Sequence, residues 1–263
     1  MANHSIVFLM YHELELPGRS ICQDEPGYAR YVLADSEFRS QMKLLKTQGW
    51  RGLSVGEALS FPDSSSVAIT FDDGCETDLI AAAPILRDAG FNATFFITTG
   101  RLNSRGYLSR TQLQELSSMT FEIGCHSMTH PYLPDLDHNG LQREIVQAKA
   151  DLEQIIGKPV EHFSCPGGRY DRRVIDIARA ARYRSICTSR VHANSKNTDL
   201  FSLGRIAMLR GLSLPTFTHI CDGTSLAGMR VKSTLCDAAK RILGNSAYDR
   251  LRAAMLKERD AQR

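Results

Sequence analysis

Residues Val67-Ala68-Ile69-Thr70-Phe71 form an apolar run that ends in two adjacent carboxylates, Asp72 and Asp73, followed by Gly74. Such a run reads as a strand buried on both faces, the kind found in parallel sheets covered by helices. Two neighbouring carboxylates at the end of a buried strand repel one another, and desolvation adds to the cost. A divalent cation relieves both problems if one carboxylate ligates it and the other stays free as a base. About fifty residues on, His126-Ser127-Met128-Thr129-His130 follows a second strand-like run, Phe121 to Cys125. The i, i+4 spacing of the two histidines predicts a helical turn that presents both on one face. Two imidazoles and one carboxylate leave positions open for water and substrate, as in a hydrolytic metal centre.

The remainder of the chain alternates in the same way. Strands are predicted at residues 5–11, 67–71, 93–97, 121–125, 162–165 and 184–188. Helices are predicted at 35–48, 77–88 with a kink at Pro84, 109–118, 140–156 and 171–181. This alternation implies a parallel sheet, closed or open. Sites in such folds gather at the carboxyl ends of strands. His12, the Asp pair, the His pair and Pro166-Gly167-Gly168 each follow a predicted strand, so they are expected on one face. Segments 13–34 and 189–202 read as polar rim loops.

The 263 residues carry a net charge of +3, too small to imply nucleic acid as a partner. From Val231 onward eight Lys/Arg stand against four Asp/Glu, leaving residues 1–230 near −1. We read 1–230 as one catalytic domain and 231–263 as a helical extension packed on it. Its charge and the apolar Leu243, Leu251 and Met255 permit a weak peripheral membrane contact. No stretch reaches the roughly 20 apolar residues of a membrane span, and no signal peptide is evident, so a cytoplasmic location is expected. Seven cysteines without paired spacing read as buried free thiols. Thiolate ligation by Cys75 and Cys125, which flank the motifs, is the sharper alternative, but the His and Asp set already suffices.

These residues resemble the polysaccharide deacetylases of carbohydrate esterase family 4. Thr70 to Gly74 and His126 to His130 match its first two motifs completely, and Ala93-Thr94-Phe95-Phe96 between them is also similar. Ser164-Cys165-Pro166-Gly167-Gly168 keeps the Pro and final Gly of the third motif and lacks its Arg and aromatic. The usual late Leu-x-His motif is not evident; His219 follows Phe217-Thr218 instead. Met10-Tyr11-His12 resembles a rearranged subgroup of poly-N-acetylglucosamine and exopolysaccharide-cluster deacetylases, in which the acid His comes from the first strand. Leu203-Gly204-Arg205-Ile206 resembles a late segment of that subgroup, with Gly in place of Pro.

The resemblance implies an α/β fold, a distorted (β/α) barrel of about seven parallel strands. It implies a metal-dependent N-deacetylase acting on N-acetylated amino sugars in a poly- or oligosaccharide. Asp73, His126 and His130 would hold one divalent ion, most simply Zn²⁺, with Co²⁺, Ni²⁺ or Fe²⁺ also suited to nitrogen and oxygen donors. Asp72 would be the general base and His12 the general acid, with His219 as its rival. A backbone N–H near Gly167 would face the oxyanion, and Arg205 would take over from the missing motif Arg in positioning Asp72. The alternative function is a metal-dependent amidase on a small non-sugar C–N bond. His4, His138, His162 and His192 read as ordinary surface or loop residues.

Overall fold

The fold is known from a computed structural model that describes residues 5–23, 27–60 and 65–231. The proposed extension at 231–263, with its membrane contact, lies outside the described residues apart from Val231. No helix among the described residues is long and apolar enough to cross a membrane.

Seven strands run parallel: β1 (Ser5–Tyr11), β2 (Ser66–Phe71), β3 (Thr94–Ile97), β4 (Glu122–Cys125), β5 (His162–Ser164), β6 (Ser185–Cys187) and β7 (Ile206–Ala207). Their spatial order is β7-β1-β2-β3-β4-β5-β6. Leu9 of β1 lies between Ile69 of β2 and Ile206 of β7, which fixes the register at the centre. Leu203 bridges Cys187 of β6 three residues before β7 begins beside β1. One short segment therefore touches both edges, and the sheet curls into the expected distorted barrel. Arg51–Leu53 adds a short parallel partner to the start of β2, and Asn194–Ser195 an antiparallel one to the start of β1.

The period-2 alternation of side chains divides the core in two. Ile6, Phe8, Ala68, Phe96, Cys187 and Leu203 face inward and form a thin apolar layer with Leu53, Val55 and Ala58. The alternate positions face the helices and join the larger cluster. There the rings of Tyr11, Phe71 and Phe95 stack at successive centroid distances of 5.2 Å across three strands. Phe38, from the helix Asp35–Thr47, meets Tyr11 and Phe71 edge-on at 5.0 and 5.4 Å. Asp72 follows Thr70 in the inward series. This phase is what delivers the carboxylate to the barrel mouth rather than to the helix layer.

Three expectations are corrected. Residues 77–88 are helical as expected but carry no simple kink at Pro84: a π-turn, Asp78–Ala82, runs without a break into the α-helix Ala83–Ala89. Pro84 has no N–H to give to the preceding turn, and the widened π-turn ahead of it accommodates that loss. Residues 140–156 likewise begin earlier, at His138, and contain a π-turn at Gln142–Gln147. His162 is no surface residue: it is fully buried at the start of β5. Its Nδ1 lies 2.8 Å from Ser185 Oγ and its Nε2 3.5 Å from Glu122 Oε2. Glu122 in turn accepts from Gly56 N at 3.1 Å, Ser54 Oγ at 3.3 Å and Thr94 Oγ1, so a polar plug fills the amino-terminal end of the barrel.

Phe95 stands at the middle of the aromatic row. Phe95→Ala is expected to lower unfolding free energy by about 3–5 kcal/mol, read from the shift of the urea midpoint at constant slope.

Candidate metal centre at the barrel mouth

The backbone after β2 turns sharply. Asp73 and Gly74 both take left-handed conformations, at φ 82° and 79°. For a non-glycine residue this is strained, and such strain persists only where surrounding contacts over-determine it. The turn separates the two carboxylates: Asp72 continues into the barrel, while Asp73 swings toward the loop after β4. Thr98 N donates to Asp73 O at 3.4 Å, and Gln23 Nε2 donates to Asp73 Oδ2 at 2.8 Å.

The His126 to His130 segment is not the expected helical turn. Ser127 and His130 are both left-handed, at φ 65°. Glu144 shapes this loop instead. Its buried carboxylate accepts from Met128 N at 2.9 Å, Thr129 N at 2.8 Å and Thr129 Oγ1 at 2.7 Å. The wide turn at Gln142–Gln147 is the element that carries Glu144 to it.

Asp73 Oδ1 then lies 3.7 Å from His126 Nε2 and 3.5 Å from His130 Nε2. The candidate donors of all three residues fall within 4.8 Å of one another. Asp73 Oδ1 is buried and has no hydrogen-bond partner. His126 Nδ1 lies 2.8 Å from the Ser164 carbonyl, which requires the proton on Nδ1 and leaves Nε2 as a lone-pair donor. An orphaned carboxylate oxygen facing two imidazole nitrogens fits a divalent ion with nitrogen and oxygen ligands. Burial lowers the His126 pKa to about 4 and lowers that of His130, so both rings are neutral and ready to ligate near neutral pH.

Asp72 is held differently. Arg205 Nη1 and Nη2 donate to its two oxygens at 2.7 Å each, and Ser164 Oγ donates to Oδ2 at 3.2 Å. Burial works to raise the pKa of this carboxyl, but the guanidinium and His126 outweigh it and hold it well below the usual range. Arg205 is reached through Gly204, whose own N–H and carbonyl are clamped by the Asn194 side chain at 2.8 Å each. A side chain at position 204 would strike His192 O at 2.6 Å.

His12 follows β1 at the same mouth. Its Nδ1 is buried without a partner, its ring packs 4.9 Å from Tyr31, and it lies in the field of Asp73 and Asp72. Burial lowers its pKa. His219 is elsewhere: its side chain is 64% exposed on the helix Leu214–Cys221 and pairs with Thr224 and Asp222. Gly167, left-handed at φ 59°, lies against Tyr132 just beyond Ser164, and a Cβ there would meet that ring at 3.0 Å. The structure thus brings together Asp72, Asp73, His126, His130, His12 and Arg205 and leaves His219 apart.

Sequence reasoning missed Glu144, Ser164, Gln23 and Arg101. Arg101 Nη1 lies 3.6 Å from Asp73 Oδ1. Only Glu144 left a trace, as a charged residue within the apolar periodicity of its helix. Glu144→Ala is expected to weaken metal binding by about 10–100-fold, measured by competition against a chromogenic chelator.

The polysaccharide deacetylase family model matches residues 61–186. YxkH of Bacillus subtilis, named after the polysaccharide deacetylases, is 27% identical over 215 residues, 80% of this chain and 73% of its own length. A poly-β-1,6-N-acetyl-D-glucosamine N-deacetylase of Staphylococcus aureus is 28% identical over 145 residues, and this chain spans about half of its length (49%). The deacetylase PplD of Streptococcus pyogenes, determined with acetate, superposes with a TM-score of 0.75 at 25% identity, covering 84% of this chain and 99% of PplD. With the curled parallel sheet and both complete motifs at its mouth, this chain carries a polysaccharide deacetylase domain, matched over residues 61–186.

Proposed function

We propose that the protein removes acetyl groups from N-acetylated amino sugars in a poly- or oligosaccharide, with a divalent ion held by Asp73, His126 and His130. The observation that carries this reading is the division of labour between the two aspartates. One oxygen of Asp73 has no hydrogen bond and faces two imidazoles, with Arg101 at ion-pair distance, whereas Asp72 is paired with Arg205 and stays off the ligand set. The family match supports the reaction class, and the Staphylococcus aureus relative supports an exopolysaccharide-type substrate. Zinc is our choice of metal because two imidazoles and a carboxylate suit it.

Such an ion supplies Lewis acidity to the acetyl carbonyl and an acidified water beside it. Asp72 is ionised and therefore able to take the proton of the attacking water. Arg205 and Ser164 keep its carboxylate plane fixed, so it accepts without reorienting. The N–H groups of Gly168 and Arg169 are taken by Cys165 O and Pro166 O, which leaves the Gly167 amide as our candidate donor to the oxyanion. His12 acts as the general acid: a ring beside Asp72 and Asp73 carries a proton to the leaving nitrogen. The cytoplasmic location remains part of this proposal, and the six free cysteines among the described residues agree with a reducing compartment.

Acetate release from N-acetylated saccharides, with and without chelator, against a panel of small cyclic amides tests the reading. Acetate from saccharides that stops on chelation supports it, and turnover of the cyclic amides alone overturns it. Asp72→Asn is expected to abolish release while metal content stays at one ion per catalytic centre. Equal metal loss in Asp72→Asn and Asp73→Asn would show the roles to be assigned wrongly.

His12→Ala is expected to slow amide hydrolysis by about 10²–10⁴-fold and to spare an activated acetate ester, whose leaving group needs no proton. His219→Ala is expected to match the parent on both substrates. An inactive His219→Ala beside a normal His12→Ala would reverse the assignment.

A further inference from the structure

A second group of ligand-type side chains lies beside the centre and shares no donor with it. Cys22 Sγ is 3.1 Å from Cys75 Sγ, and the Tyr28 hydroxyl is 3.2 and 3.6 Å from the two sulfurs. The Glu13 carboxylate accepts from Cys22 N at 3.0 and 3.1 Å, so it is pinned against the same pair. The donor atoms of Glu13, Cys22 and Cys75 all fall within 4.8 Å of one another. Glu13 is 4% exposed and Cys75 fully buried.

Asp78 provides an independent observation. Its side chain is fully buried, and neither carboxylate oxygen has a hydrogen-bond partner. It lies in the field of Cys22, Asp73 and Glu13, carried there by the π-turn Asp78–Ala82. No Lys or Arg among the described residues pairs with Glu13 or Asp78. A thiol pair alone explains the two sulfurs but not the carboxylate pinned against them. A divalent cation accounts for Cys22, Cys75 and Glu13 together, while burial favours the neutral form of Asp78 beside them.

We propose that Cys22, Cys75 and Glu13 form a second, structural site for a thiophilic divalent cation such as Zn²⁺. Two thiolates and a carboxylate are a suitable donor set, and water completes the tetrahedron. Zinc–sulfur bonds of about 2.3 Å place two sulfurs roughly 3.8 Å apart, so the half-buried Cys22 moves outward by less than about 1 Å. The site fastens the segment after β1 to the turn after β2. Gln23, next to Cys22, then holds Asp73 Oδ2, so the structural ion fixes a support of the catalytic ligand. This inference does not depend on which acetylated substrate is used.

The full chain is loaded with Zn²⁺ alone or Co²⁺ alone and its metal content measured. The expected result is two ions per chain in the parent and one in the His126→Ala, His130→Ala double variant. The cobalt form of that variant is expected to keep a near-ultraviolet sulfur-to-cobalt charge-transfer band, which nitrogen and oxygen ligands do not give. Cys22→Ser with Cys75→Ser is expected to lose the band. The histidine variant keeps both cysteines, so it tests the site even where the cysteine variant fails to fold. A histidine variant without metal or band overturns the proposal, as does a Cys22–Cys75 disulfide in protein isolated with its thiols blocked at lysis.

Discussion

The ion pair between Arg205 and Asp72 is the interaction on which the rest of the mouth depends. It is buried, and a buried pair is stabilising only when every remaining donor is satisfied. Here the guanidinium uses its full fork. Nε donates to Thr188 O at 3.0 Å, Nη1 to Thr70 Oγ1 at 3.2 Å and Asp72 at 2.7 Å, and Nη2 to Asp72 and Ser164 Oγ at 2.7 Å. Those partners belong to β2, β5 and the residue after β6, while Arg205 itself precedes β7. One side chain therefore ties together strand ends that are distant in sequence, and lysine could not reproduce the pattern.

The pair also sets the electrical state of its neighbours. Asp72 remains an anion despite burial, and that anion lies 3.8 Å from His126 Nε2. Ser164 serves both aspects of the site: its hydroxyl touches Asp72 and Arg205, and its carbonyl fixes the tautomer of His126. The base and a metal ligand are thus oriented by one residue of β5, which couples their geometries without a direct bond between them.

How legible this was in the sequence follows from how each residue is placed. Asp72, Asp73, His126 and His12 are positioned by strand ends, and the strands themselves are written as apolar runs. Arg205 was visible only through a local resemblance, because its role depends on barrel closure. Glu144, Ser164, Gln23 and Arg101 act by tertiary approach and left almost no local sign. The His126 to His130 spacing suits a helical turn by its i, i+4 period; the buried Glu144 carboxylate competes for the same backbone N–H groups and wins. Nothing local to His162 announces that Ser185 and Glu122 await it. The two π-turns escaped for a related reason: each aims a buried carboxylate, Asp78 or Glu144, at a loop far along the chain.

The inward apolar layer of Ile6, Phe8, Ala68, Phe96, Cys187 and Leu203 separates two polar ends of the barrel. Above it stand Arg205 and Asp72; below it stand His162 and Glu122. Such a layer behaves as an electrical insulator one side chain thick. It separates the guanidinium from the polar end beneath, so the Arg205–Asp72 pair is screened less from that side than from the mouth. The Phe96 ring, 5.4 Å from the guanidinium carbon, forms the face of that insulator. Hollowing this layer would let solvent reach the guanidinium from below and relax the field around the proposed base.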